Sequence, residues 1–222
     1  VKVDPERHIA NEGSVTIIDL AAGRPTGEIL VQLHASALAL APDGRYLVCA
    51  NAASDNLSVI DTRLDAVVET IWVKASPADL FGASPNALAF TPDGKTLYVA
   101  NGTQNAVAVV RFDPEARRSQ FLGLIPVGWF PGALIFDAAR DRLCVANIKG
   151  HAVEPKIYKE TGAPGFNSHH YHDSVSLVPT PKRKELGRLS AVVYDNFRRE
   201  RIARALEKPR RLVGPRFLEG AG

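Results

Sequence analysis

The sequence predicts an all-β chain: a β-propeller segment of about four blades of four-stranded antiparallel sheet, followed by a C-terminal helix. Three observations carry this. Four short apolar runs end in Ala-Asn, at Asn11, Asn51, Asn101 and Asn147, with spacings of 40, 50 and 46 residues. A period of that length marks a supersecondary unit whose neighbours complete its core. Two of the units also align residue by residue. Ala37-Leu38-Ala39-Leu40-Ala41-Pro42-Asp43-Gly44 matches Ala87-Leu88-Ala89-Phe90-Thr91-Pro92-Asp93-Gly94, and Ala133 to Arg140 repeats the rhythm more loosely. Lastly, each unit offers several short β-rich runs separated by turn residues, as a propeller blade requires.

The elements follow in order. Pro-Asp-Gly between apolar runs is hairpin chemistry, because Pro presets φ, Asp bonds nearby backbone and Gly accepts positive φ. The second strand then runs over 46–49, 96–99 or 142–145 and ends at the Asn. Third runs are Ser14–Asp19, Leu57–Asp61, Ala106–Arg111 and Ser174–Val178; fourth runs are Glu28–Leu33, Val67–Val73 and Gln120–Val127. The blades accordingly span about 1–33, 34–73, 84–127 and 131–178 within a 1–181 propeller region. Asn11, Asn51, Asn101 and Asn147 are read as structural: each leaves a strand into a turn, where its side chain satisfies a local backbone group.

A hydrophobic content of 45% in 222 residues supports a real core. No apolar run approaches the roughly 20 residues of a membrane span, and no signal peptide is visible. Aligning Asn11 with Asn147 sets Val1 to Asp4 on the innermost strand of a blade, and the last unit shows no obvious outer strand. The expectation is a piece of a larger propeller. Cys49 and Cys144 fall on strands two blades apart, too far for a disulfide, and read as small buried hydrophobes.

The fourth unit departs from the repeat with a long loop over 148–172. It holds four of the six histidines, His151, His169, His170 and His172. His169, His170 and His172 with Asp173 are the candidate metal ligands, imidazole and carboxylate suiting a transition metal, although no zinc spacing is matched. Beyond Pro181, residues 182–222 form a basic helical tail or linker. The helix is read over 182–208 with Leu186, Leu189, Val193 and Phe197 on one face. Twelve Lys or Arg stand against four Asp or Glu between Lys182 and Arg216, while the whole chain carries only +3. A solvated helix seated by its apolar face explains this better than nucleic-acid binding, which would call for interleaved aromatics.

The runs from Ser84 to Asn101 and from Pro126 to Gly132 resemble YVTN-type repeats of YncE-like and surface-layer propellers. The segments Val145–Gly150, Gly165–His169 and Val175–Pro179 are similar to bacterial proteins in which such a propeller precedes an alkaline-phosphatase-superfamily phosphoesterase domain. The resemblance implies a periplasmic or extracellular location, makes the long loop a family feature and makes the helix a linker. No phosphoesterase site residue has a counterpart in this sequence.

The function expected is therefore a non-catalytic binding or scaffold module with no cofactor, its ligand or protein partner open; the resemblance implies a neighbouring phosphoesterase domain. Gly-x-Ser-x-Gly, metalloprotease and phosphate-loop motifs are absent. His34 and Asp79 read as structural, and Glu12, Asp55 and Gln104 as turn chemistry. The enzymatic alternatives are the propeller portion of a phosphoesterase and a lactonase-type propeller.

Overall fold

A computed structural model describes residues 2–76, 79, 82–150, 162 and 172–206. It contains four antiparallel sheets, each a consecutive meander. Sheet 1 holds β1 (Lys2–Val3), β2 (Ala10–Asp19) and β3 (Arg24–Val31). Sheet 2 holds β4 (Ala35–Leu40), β5 (Tyr46–Asn51), β6 (Asn56–Asp61) and β7 (Ala66–Trp72). Sheet 3 holds β8 (Pro85–Phe90), β9 (Thr96–Asn101), β10 (Ala106–Arg111) and β11 (Gln120–Pro126). Sheet 4 holds β12 (Trp129–Asp137), β13 (Arg142–Lys149) and β14 (Ser174–Pro179). Two helices follow, α1 (Arg183–Asn196) and α2 (Arg199–Leu206). The fold is the expected partial propeller. Among the described residues no helix is long and apolar enough to cross a membrane.

The sequence repeat reappears as identical local chemistry. At both Pro-Asp-Gly turns the Asp carboxylate accepts a backbone N–H two residues on, from Arg45 at 2.9 Å and Lys95 at 3.1 Å. Gly44 and Gly94 supply the positive φ at 72° and 69°. Each outer strand carries one extra residue at the same place, Thr26, Val68 or Leu122, so every complete edge bends alike.

Apolar side chains fill the seams between stacked sheets. Val48, Leu57, Val59 and Ile71 of sheet 2 meet Leu97, Val99, Val110 and Leu124 of sheet 3. Tyr98, Val107 and Ile125 meet Leu134, Leu143 and Val145 across the next seam. Burying one such Leu or Ile contributes about 1.5–3 kcal/mol. At the opposite end of the strands, Arg45 and Tyr46 reach Glu115, while Glu69 accepts from Ser119 N and Oγ, clasping sheets 2 and 3 together.

Three expectations need correction. Asn11 does not end a second strand: it lies exposed within β2, and β1 takes the place of β5 rather than that of β4. The preceding turn is made by Asp4, whose carboxylate accepts from Glu6 and Arg7 N–H, both at 2.8 Å. Sheet 1 has three strands among the described residues where the sequence suggested four. The tail is two helices, because Arg198 turns left-handed at φ 53° after Phe197.

The expected helix face is the one that docks. Leu186 and Leu189 enter the seam of sheets 3 and 4, and Val193 and Phe197 enter that of sheets 2 and 3. Helix α1 therefore runs back across the outer edge of β11 as a strap. Ser190 Oγ accepts the Leu124 N–H at 2.8 Å and donates to the Leu186 carbonyl at 2.8 Å.

Both cysteines are free, but only Cys49 is fully buried, Cys144 being half-buried. Burial pushes the Cys49 thiol up to about 11. A thiol-disulfide dye at mildly alkaline pH is expected to label Cys144 in the native protein and Cys49 only after denaturation. Equal labelling rates would contradict this packing.

Asp61 shows how the strand-end turns respond to pH. The Arg63 backbone N–H and then the Arg45 guanidinium hold its carboxyl below the ordinary range. A lowered folded value means stability that is complete above the unfolded value, near 3.9, and lost as pH falls through the folded one. Asp61→Asn is expected to narrow the gap in urea midpoint between neutral and acidic buffer. An unchanged gap would remove Asp61 from the acid response.

Candidate functional site

Where the second strands end and the sheet-to-sheet crossings arrive, a polar rim forms. Each crossing enters its inner strand through a left-handed residue, His34 at φ 61°, Ser84 at 49° and Phe130 at 55°. Non-glycine residues hold this conformation only when the surroundings fix it. Here the His34 and Ser84 carbonyls accept from Ala52 N–H at 2.9 Å and Gly102 N–H at 3.1 Å. Phe130 N–H donates to Asn105 Oδ1 at 2.9 Å.

Two residues later each inner strand bulges, at Ser36, Asn86 and Gly132. A bulge re-aims one side chain out of the sheet pattern. Ser36 Oγ uses this to donate to the Pro85 carbonyl at 2.8 Å in the next sheet. Asn86 sits under Gly102 and Phe130. A Cβ on Gly102 would lie 2.7 Å from Asn86 Nδ2 and 2.8 Å from Phe130 Cζ, so only glycine fits. Both amide atoms of Asn86 are buried without a hydrogen-bond partner among the described residues.

The three second-strand asparagines stand beneath this rim, all essentially buried. Asn51 Nδ2 donates to Asn56 Oδ1 and Ser58 Oγ, both at 2.9 Å. Asn101 Nδ2 donates to the Val73 carbonyl at 2.7 Å and to Gln104 Oε1 at 2.9 Å. Asn147 Nδ2 reaches Ser174 Oγ at 3.1 Å and Ser176 Oγ at 2.9 Å. Asn101 thus bonds across a seam as well as within its own turn. Exposed Asn11 has no place in this set.

Four ionisable groups of the rim are tied to one another. Lys74 Nζ lies 3.0 Å from Asp55 Oδ2 and donates to the Asp79 carbonyl at 3.1 Å. Their side chains are only 7% and 16% exposed. Asp55 Oδ1 also accepts from Ala83 N–H at 2.6 Å and Ser84 N–H at 3.2 Å. Asp79 accepts from Ser76 N–H at 3.1 Å and pairs with Arg199 of α2 at 3.0 Å. The guanidinium of Arg199 rests 4.8 Å over the Tyr194 ring, and burial raises the Tyr194 hydroxyl above its ordinary pKa. Glu12 is half-buried on β2 and Gln104 lies in a buried 3-10 turn. Sequence reasoning missed Lys74, Asn86 and the bulges. For Asn86 and the bulges the signal was the aligned His34-Ala35-Ser36-Ala37, Ser84-Pro85-Asn86-Ala87 and Phe130-Pro131-Gly132-Ala133.

Of the candidate metal ligands, His172 and Asp173 are exposed just before β14. Asp173 lines a cavity of about 440 Å³ with Asn147, Ile148 and Ser174. His169 and His170, like His151, lie outside the described residues. Among the described residues no three metal-ligating side chains converge.

The family model of the seven-bladed β-propeller lactonases matches residues 11–114 and 65–178. The chain belongs to this lactonase family. Hydrazine synthase of Kuenenia stuttgartiensis overlays this lactonase-family chain with a TM-score of 0.53 at 24% identity, over 73% of this chain and 43% of that one. A 6-phosphogluconolactonase-like protein from Bacteroides uniformis gives 0.51 at 18% identity, over 78% and 50%. The chain thus spans half or less of the length of these proteins, and at such identities the likeness concerns the fold alone. No curated protein matches it.

Proposed function

We propose that this lactonase-family segment is a non-catalytic binding and scaffold module that works through its polar rim. The observation that supports the reading most directly is the commitment of four of the rim's ionisable groups. Asp55, Lys74, Asp79 and Arg199 spend their lone pairs and protons on bonds that lock one crossing to its neighbours. A general acid or base must instead face the substrate. The Asn86 amide adds a neutral group that can both donate and accept.

A second reading, lactone hydrolysis, is favoured by the family match. Glucono-1,5-lactone and bis-p-nitrophenyl phosphate discriminate between the readings. Both are expected to hydrolyse at the buffer rate in the presence of the chain. Accelerated lactone opening that Asn86→Ala abolishes would transfer the rim to catalysis, and accelerated phosphodiester cleavage would do so for the phosphoesterase alternative. The resemblance to propeller–phosphoesterase proteins further supports a periplasmic or extracellular role beside such a domain.

A further inference from the structure

We infer that α2 is a latch on the rim. With Arg199 on Asp79 it fixes the crossing from sheet 2 to sheet 3; with Arg199 withdrawn, that crossing and the Asp55 contacts behind it loosen. The latch regulates the same rim, and so rests on the reading of the rim as the binding site.

The crossing that α2 reaches is unlike its equivalents. From Val73 to Ser84 it takes eleven positions, whereas Val31 to His34 and Val127 to Phe130 take three each. In sheets 2 and 3 the outgoing crossing is fastened to the turn between the second and third strands. The Asn105 carbonyl accepts Val127 N–H at 3.0 Å and its Oδ1 accepts Phe130 N–H at 2.9 Å. The Asp55 carbonyl likewise accepts Val73 N–H at 3.3 Å, and its carboxylate accepts from Ala83 and Ser84. A neutral amide thus suffices for a short crossing. The long one adds Lys74, on Asp55 and on the Asp79 carbonyl, and Asp79 in turn meets Arg199. Bonded groups therefore run unbroken from α2 to the amides of Ala83 and Ser84.

Asp79 is the joint. Its Oδ2 accepts Ser76 N–H at 3.1 Å and its own N–H donates to the Ser76 carbonyl at 3.0 Å, while Oδ1 takes Arg199. Moving Asp79 moves the carbonyl to which Lys74 is bonded.

Helix α2 can leave while α1 stays. Buried Leu186, Ser190 and Val193 seat α1. In α2, Arg201, Ala203, Arg204 and Ala205 are exposed, and Arg204 pairs with Glu200 inside the helix. Segments with few buried apolar contacts open at the lowest free energy. Between the helices, Arg198 holds a left-handed φ of 53°, which persists only where the surroundings enforce it. The two ion pairs also differ in exposure. The Arg199 and Asp79 side chains are 41% and 22% exposed, against 7% and 16% for Lys74 and Asp55. Salt screens the outer pair more than the inner one, so the outer pair opens first.

The test follows amide hydrogen exchange in the full chain, with no ligand present. Arg199→Ala is expected to speed exchange at Ala83 and Ser84 about threefold, the scale of a partly exposed ion pair. Leu124, whose N–H is bonded to Ser190 of α1, should keep its rate. Raising salt to about 1 M, where the screening length falls to about 3 Å, should bring the parent chain to the rates of the variant. Asp79→Asn should match Arg199→Ala, and the double variant should add nothing, since both remove one contact. Unchanged exchange at Ala83 and Ser84 would overturn the inference and leave Arg199–Asp79 a surface pair. Equal acceleration at Leu124 would overturn it too, because α1 and α2 would then leave together, as would additive effects in the double variant. The binding reading fails on a different observable, accelerated opening of glucono-1,5-lactone, so the two failures are told apart.

Discussion

Asp55→Ala is expected to destabilise the chain by about 3–5 kcal/mol, the range for breaking a buried ion pair from one side. The loss is large because of what remains. The Lys74 ammonium, almost fully buried, keeps only the Asp79 carbonyl, and the Ala83 and Ser84 N–H groups lose their shared acceptor. Alanine must also hold the left-handed φ of 56° that Asp tolerates. Two companions separate these contributions. Asp55→Asn keeps the conformational tolerance and one acceptor, as Asn105 does at the equivalent turn, and should cost less. Lys74→Met removes the cation while Asp55 retains two backbone donors, and should cost about 1–2 kcal/mol. Urea unfolding of the three variants measures the order. A loss below about 1 kcal/mol for Asp55→Ala would reduce the network to a surface pair.

Gly123→Val is expected to cost about 2–3 kcal/mol, as overpacking does, and to loosen the helical strap specifically. A Cβ at Gly123 would stand 2.5 Å from Ser190 Oγ and 3.0 Å from Leu186 Cγ. The helix must lift, and with it go the Leu124–Ser190 hydrogen bond and the seats of Leu186 and Val193. Limited tryptic cleavage should then accelerate at Arg188 and Arg199 while the sheets stay resistant. Ser190→Ala removes only the hydroxyl and should cost about 1–2 kcal/mol, with a smaller acceleration of cleavage than Gly123→Val. Uniform acceleration across the whole chain would mean that strap and sheets unfold as one unit.

Much of this architecture was legible because its signals are local. Pro-Asp-Gly specifies a hairpin by itself, and the intervals among Leu186, Leu189, Val193 and Phe197 state which helix face is buried. Asn11 misled because an Ala-Asn pair carries little conformational information. The stronger turn signal lay earlier, in Asp4-Pro5. The division of the helix at Arg198 had no Gly or Pro to mark it; the ring and carboxylate that receive Arg199 lie in Tyr194 and Asp79. Lys74 was invisible as a rim residue for a similar reason. Its partners Asp55 and Asp79 flank it at distances of 19 and 5 residues, and only stacked sheets bring all three together.

The strap also sets an order of events during folding. Arg199 and Asp79 are 120 residues apart in the chain, whereas the hairpins close over a few residues each. Contacts between distant segments wait until the intervening loop has been closed by others. The helix has no seat until sheets 2, 3 and 4 have formed their seams, so its docking is a late step. Tyr194, beneath the Arg199 guanidinium, is consequently a built-in clock for completion of the arc. In a refolding trace its environment changes last.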